Sequence, residues 1–316
     1  MYLITGGSGF IGTNLINKLL LNNISLINID IKKPKLKDHE KYWIELDILN
    51  FKGVDKIFKE NNILQVFHLA ARTDIFGKNI DEYDVNIQGT KNLVTLVNKY
   101  KISYSIFFSS MLVNKPNLHD SKSYDPYENY YAASKVESEI IIKKLINKNL
   151  IYSIVRPTSI WGPFMGEHYM EFFKRIKNKR YFHISDKNPI KTYGYVENIV
   201  NQILFLSDKM IFEKGKTFYY LGDKENYFIK EWSSLIAKNF NVKIFTLPFL
   251  LFKIVSIFGD ILKYFEYQFP LTSYRLNNLT SDNKIPIDEI FNNLNYLSIN
   301  DATKKTINYL KVKNEF

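Results

Sequence analysis

The sequence predicts an α/β protein: a doubly wound parallel sheet carrying a smaller C-terminal α/β lobe. Three observations predict it. Short apolar runs alternate with amphipathic stretches through the first half of the chain, the pattern of strand–helix–strand units. Glycines recur at every third position straight after the first apolar run, in Thr5-Gly6-Gly7-Ser8-Gly9-Phe10-Ile11-Gly12. After about Trp161 the order turns irregular and more aromatic, which marks the lobe. With 316 residues, 46% of them hydrophobic and 24% charged, the chain can bury a large core, and intrinsic disorder is excluded.

Taken in order, Tyr2–Thr5 reads as the first strand, and residues 10–22 as a helix because Ile11, Leu15 and Leu19 recur at helical spacing. Residues 25–29 form the second strand, ending at Asp30. Residues 64–69 and 105–108 repeat the strand pattern, with a helix over 90–97 between them. Residues 136–146 are helical, and 152–155 form a strand stopped by Arg156-Pro157. Buried strands in such alternation imply a parallel sheet covered on both faces. No repeat or linker interrupts the chain, so the lobe is expected to interleave with the sheet. Residues 1–160 with about 189–222 make the sheet domain, and about 161–188 with 223–316 the lobe. The most apolar stretch, residues 244–258, is shorter than the ~20 residues of a spanning helix. It contains Pro248 and Lys253. A buried helix or substrate lid is expected there, with a monotopic membrane contact as the alternative.

The formal charge is +11, but the lysines are scattered, the densest group being Lys32, Lys33, Lys35 and Lys37. A solvated basic surface accounts for this, and no nucleic-acid partner is expected. The absence of cysteine excludes a disulfide scaffold, cysteine-ligated zinc and thiol catalysis, and fits a cytoplasmic protein. The first residues carry no basic and apolar leader pattern, so no signal peptide is expected. No metal site is expected either.

Two constellations carry chemistry. In the glycine run, Gly6 permits a tight turn, Gly9 lets backbone approach a diphosphate, and Gly12 lets the helix pack on the sheet. The diphosphate would meet the free N–H groups at the positive end of the helix. Asp30, ending the second strand, can accept hydrogen bonds from a ribose 2′-hydroxyl and repels a 2′-phosphate, which favours NAD(H). Lys32 and Lys33 beside it leave some use of NADP(H) open. Secondly, Tyr131 and Lys135 stand four apart, so both can address one ligand from one helix face. A nearby ammonium favours the phenolate and should lower the tyrosine pKa. Tyr131 can then exchange a proton with a carbinol or carbonyl oxygen while hydride moves to or from a nicotinamide. Ser110, at a strand end, can hydrogen-bond that oxygen. Tyr127 and Tyr130 are local competitors, read as packing or substrate contacts.

With these residues the chain resembles the extended short-chain dehydrogenase/reductase family, in its NAD-dependent epimerase/dehydratase branch acting on nucleotide sugars. Further marks are Asp47, His68-Leu69-Ala70-Ala71, Asn86-Ile87-Gln88-Gly89-Thr90, Ser109-Ser110, and Arg156-Pro157 through Gly162-Pro163. The resemblance implies a Rossmann-type cofactor domain and a lobe that clamps a nucleoside-diphosphate sugar. It places Asp47 and Ile48 near the adenine, Leu69, Ala70 and Ala71 along the cofactor groove, and Asn86 in support of the sheet. Phe10 and Ile11 join the cofactor contacts, and Ser159 and Arg275 the substrate contacts. Simpler roles stand beside these: a loop cap for Asp47, a packed strand residue in His68, a surface salt bridge for Arg275. A homodimer is expected.

The departures select among reactions. Dehydratases of the family place an acidic pair directly after the catalytic Ser or Thr; here Met111 and Leu112 stand there and cannot exchange protons. The family's Val-Tyr-Gly reads Val113-Asn114-Lys115, and the asparagine after Arg-Pro-x is Ser159. The favoured expectation is a C4 reductase of a 4-keto-6-deoxy nucleotide sugar, of the dTDP-4-dehydro-6-deoxyglucose reductase type, serving surface-polysaccharide biosynthesis. The alternatives are a UDP-hexose 4-epimerase and, behind it, a membrane-associated hydroxysteroid-type dehydrogenase.

Overall fold

Neighbouring residues on a strand point to opposite faces, so adjacent buried apolar residues require a sheet covered on both sides. Leu3 with Ile4, Val66 with Phe67, Ile106 with Phe107, and Ile154 with Val155 are such pairs, each residue at most 1% exposed. A computed structural model describes residues 1–114, 125, 127, 129–209, 218–265, 267 and 269–313. In it these pairs lie on successive strands. The order is β1 (Tyr2–Thr5), α1 (Phe10–Leu21), β2 (Leu26–Asp30), β3 (Trp43–Glu45), α2 (Phe51–Glu60), β4 (Gln65–His68), α3 (Asp84–Lys99), β5 (Tyr104–Phe108), α4 (Tyr130–Leu145) and β6 (Ile151–Pro157).

The chain then leaves the sheet through β7 (Ser159–Trp161), α5 (Glu167–Lys177), β8 (Phe182–Ile184), β9 (Ile190–Lys191) and β10 (Tyr193–Tyr195). It returns along α6 (Val196–Lys209) to β11 (Phe218–Leu221), which pairs with β6. Among the described residues, seven strands form one parallel sheet in the order β11-β6-β5-β4-β1-β2-β3. α1 and α6 cover one face, with Leu15, Ile16, Ile199 and Ile203 against Ile4 and Phe67. α2, α3 and α4 cover the other, with Val54, Leu93, Val97 and Ile142 against Leu3 and Val66. This is the doubly wound sheet the sequence predicts. Its strand order reverses between β4 and β1, and at such a switch point the loops diverge and leave a crevice.

The remaining elements are β12 (Tyr227–Phe228), α7 (Ile229–Asn239), β13 (Phe245–Leu247), α8 (Phe249–Tyr264), α9 (Ser273–Thr280) and α10 (Ile299–Val312). A separate core of Trp161, Phe173, Tyr195, Tyr227 and Trp232 joins the segment after β6 to α7, with Ile307 and Leu310 closing it from α10. Strands of two or three residues bury little themselves, and large rings fill the space between them.

Four differences from the sequence expectations have local causes. α3 begins at Asp84 rather than 90, because its first turns are polar and hide the apolar period. α4 begins at Tyr130 rather than 136, because the Asn129 side chain caps it by accepting from Ala132 N at 3.2 Å. β6 runs on through Arg156 and Pro157, since Arg156 is buried with an acidic partner instead of ending the strand. Finally, the apolar stretch 244–258 is not a buried helix. On α8, Leu250 is 64% exposed, Ile254 56% and Phe258 53%.

Candidate active site

At the switch point the glycine turn packs against the loop after β4. Gly6 has φ +74°, and a Cβ there would stand 2.5 Å from Ala70 N. A Cβ on Gly12 would stand 2.5 Å from Gly6 O, which fixes the start of α1 against the turn. Gly9 is the N-cap, so no side chain occupies the first-turn N–H groups of α1. The Asp30 carboxylate lies across the turn, accepting from Ser8 N and Lys32 N, both at 2.9 Å. Leu69 N donates to Thr5 O at 2.9 Å and Ala70 N to Thr5 Oγ1 at 3.3 Å, so residues 69–71 form the half-buried opposite edge. An uncapped helix start beside a strand-end carboxylate fits a dinucleotide diphosphate and its ribose. Asp47 is exposed and its carboxylate accepts from Leu49 N at 2.9 Å, the loop cap considered from sequence. Ile48 is buried against Gly89.

β5 is followed by Ser109 and Ser110, and α4 carries Tyr131 and Lys135 one turn apart. The Ser110 hydroxyl stands close enough to the Tyr131 phenol to pull its pKa down, and Ser110 Oγ accepts from Leu112 N at 3.2 Å. Lys135 is 5% exposed, and its ammonium donates to Phe108 O at 2.9 Å. The three expected catalytic residues therefore meet at one strand end. The electrostatics differ from expectation. Burial pushes the Tyr131 phenol up, against the pull of Ser110, with Tyr83 adding to the rise. Burial also brings Lys135 down to about 8, opposed by Glu139. The expected lowering of Tyr131 is thus not met: burial disfavours the phenolate, and the ammonium is directed at a carbonyl.

A buried ion pair braces this floor. Glu139, one turn beyond Lys135, accepts from Arg156 Nε at 2.8 Å and Nη2 at 2.7 Å, and from Ser109 Oγ at 2.6 Å. Burial pushes the Glu139 carboxyl up, but Arg156 and Ser109 outweigh it and hold it below its ordinary value. Arg156 Nη1 donates to the Tyr220 hydroxyl at 3.1 Å. Sequence reading missed Glu139; the signal was its spacing of four from Lys135. Asn86 joins the loop after β4 to α4, donating to Arg72 O at 3.0 Å and Ser134 Oγ at 2.8 Å. His68 bonds the hydroxyls of Thr5 at 2.8 Å and Thr90 at 3.0 Å. Burial, helped by Lys135, drives it to about 3, so it packs as a neutral ring.

The lobe is tied to α1 and to the loop after β2. Asn14 of α1 donates to Pro163 O at 3.0 Å, and Lys35 to Phe164 O at 2.8 Å. Ser159 is hydrogen-bonded to Tyr169. Arg275 is exposed on α9, and its Nη1 donates to Pro270 O at 3.0 Å. Tyr127 and Tyr130 are 50% and 42% exposed, outside the buried floor. Met111 and Leu112 follow Ser110 in a short turn of helix, while Lys115 lies outside the described residues.

Residues 2–220 match the NAD dependent epimerase/dehydratase family, a span that holds the turn, Asp30 and the Ser–Tyr–Lys group. The chain belongs to that family. NAD is accordingly its cofactor type. Among its relatives is the N-acetyl-alpha-D-glucosaminyl-diphospho-ditrans,octacis-undecaprenol 4-epimerase of Escherichia coli O157:H7, 25% identical over 77% of this chain and 73% of that protein. Another is the UDP-glucuronate 4-epimerase of Thermodesulfobacterium geofontis, 28% identical over 61% of this chain and 64% of that protein. The UDP-glucose 4-epimerase of Thermotoga maritima, solved with UDP-glucose, has the same fold, with a TM-score of 0.74 at 18% identity over 99% of both chains.

Proposed function

We propose that this member of the family is a 4-epimerase acting on a sugar carried through a diphosphate, a nucleoside-diphosphate hexose in the first instance. The observation that carries the reading is Ser110, just past β5, beside Tyr131 and Lys135 of α4 and followed by Met111 and Leu112 rather than by acids. Such a floor can move one proton at one sugar oxygen but cannot drive loss of water. Both curated relatives described above are 4-epimerases by name, which favours epimerisation over the net reduction expected from the sequence.

Gly6, Gly9, Phe10, Ile11, Gly12 and Asp30 would hold the dinucleotide, with Leu69, Ala70 and Ala71 opposite. Bound there, a nicotinamide supplies the hydride acceptor and donor. Favoured as phenolate by Lys135 and by the positive charge of a bound oxidised nicotinamide, against the burial that raises its pKa, Tyr131 would take the proton from the C4 hydroxyl as C4 is oxidised and return it when the turned keto sugar is reduced on its other face. Ser110 orients the same oxygen. Lys135 supplies the neighbouring positive charge. Ser159 and Arg275 on the lobe side are proposed diphosphate contacts.

The test is a panel of nucleotide hexoses and 4-keto sugars, with a polyprenyl-diphosphate sugar included, assayed with and without reduced cofactor. Interconversion of two C4 epimers with no net change in reduced nicotinamide supports the reading. One-for-one consumption of NADH with a 4-keto sugar, without epimer interconversion, would replace it by the reductase.

A further inference from the structure

α8 carries an apolar face in water. Leu250, Ile254, Ile257, Phe258 and Ile261 are 64%, 56%, 49%, 53% and 52% exposed. Their spacing places them along one side of the helix, with Leu251 and Val255 beside them. A contiguous exposed stripe of this kind marks an interaction surface. The helix cannot turn it inward without losing α9. Ser256 and Gly259 are buried, and a Cβ on Gly259 would overlap the Leu271 carbonyl. The Phe258 ring meets Phe269 edge-on at 5.9 Å, and Asp260 accepts from Ser273 N at 3.1 Å. The ribbon feeding α8 continues the surface: β8 and β13 pair Phe182 with Phe245, which are 37% and 59% exposed.

The border of this surface is basic. Lys179 and Arg180 precede β8, Lys243 precedes β13, and Lys253 is exposed on α8 itself. Lys187 lies over the Phe249 ring, 5.2 Å from its centroid. The acids of residues 179–187 and 243–262 are Asp186 and Asp260, the second of them bonded to α9. A second copy would meet this face in an isologous pair, setting the basic border against itself. A bilayer with anionic headgroups complements the apolar stripe and its border together. We propose that α8 and the β8–β13 ribbon dock this protein on an anionic lipid surface, with α8 lying in the plane of the interface. No helix among the described residues is long and apolar enough to cross a membrane. At 1.5 Å per residue, a 16-residue helix lies along ~24 Å of interface.

The experiment is flotation of the full chain with vesicles of phosphatidylcholine alone and of phosphatidylcholine mixed with phosphatidylglycerol, with sedimentation velocity of the lipid-free protein alongside. The protein should float with the mixed vesicles, be released as salt is raised, and bind the neutral ones at least about tenfold more weakly. The double variant L250E/I254E should lose binding to the mixed vesicles by about tenfold or more, while its melting temperature and NAD affinity stay at the wild-type values. Should the double variant fold poorly, K253E, which alters only an exposed cation, should still weaken binding measurably. Three results would overturn the proposal: no flotation with the mixed vesicles, equal binding to both kinds, or a lipid-indifferent dimer that L250E/I254E converts to monomer.

Discussion

Behind the Ser110–Tyr131 pair, Lys135, Glu139 and Arg156 are each no more than 5% exposed, whereas on α8 Leu250, Ile254 and Phe258 are each more than half exposed. Both regions invert the ordinary distribution of charge and apolar surface. They differ in what compensates them. The buried charges are matched inside the chain: Glu139 holds Arg156 bidentately and accepts from Ser109. The exposed stripe has no counterpart on its solvent side within the described residues. One region is therefore finished when the chain folds, and the other is finished by something the chain meets.

The largest effect that would break this contrast is on turnover. Tyr131→Phe should lower kcat by about 10²–10⁴-fold, the usual worth of general acid–base catalysis, and leave NAD affinity unchanged. Retention of more than a tenth of the rate would move the proton to another residue. Next is stability. Glu139→Ala leaves Arg156 buried without its counter-charge and should cost about 3–5 kcal/mol in urea unfolding. Ile254→Ser on α8 should stay within about 0.5 kcal/mol. Comparable losses from the two would mean that the stripe is internally packed after all.

Asp30→Ala should weaken NAD by about 1.5–3 kcal/mol, the worth of a hydrogen bond to a charged group, and narrow the preference for NAD over NADP. Calorimetric titration of both cofactors decides it, and tighter NADP binding by the unaltered protein would remove Asp30 from that role. The smallest effect has the least expected sign. With Lys135 at about 8 in the folded state and an ordinary value of 10.5, the unfolded chain binds the extra proton between those pH values. Stability from this group therefore rises with pH from about 8 to about 10.5, and the burial penalty is fully present below 8. Lys135→Met should stabilise the cofactor-free protein at pH 7 by roughly 2 kcal/mol, since the lost bond to Phe108 O offsets part of the gain. The benefit should vanish near pH 10.5. A destabilised variant at pH 7 would mean that the ammonium is better solvated than its burial implies.

Much of the buried region was legible in the sequence. The glycine spacing, Asp30 at a strand end, and Tyr131 four before Lys135 depend on local chain geometry alone, and each stands where the pattern put it. Glu139 was not legible, because a carboxylate four residues on from a lysine reads as surface pairing until β6 brings Arg156 beneath it. The start of α4 is hidden for a smaller reason: Asn129 caps it at Tyr130, ahead of the apolar period. α8 failed in the opposite way. An apolar helical run implies burial of some face, but which face depends on α9, whose contact through Gly259 and Leu271 is tertiary.

The two bonds from Asn14 and Lys35 to the carbonyls of Pro163 and Phe164 couple the lobe's first turn to α1 and the loop after β2, the elements proposed to hold the dinucleotide. By thermodynamic reciprocity, if a cofactor that steadies α1 tightens the lobe for the proposed sugar, the bound sugar raises the affinity for the cofactor by the same factor. For the proposed epimerisation, which must take a hydride and give it back, such coupling would hold the oxidised sugar and the reduced cofactor together until the second transfer is done.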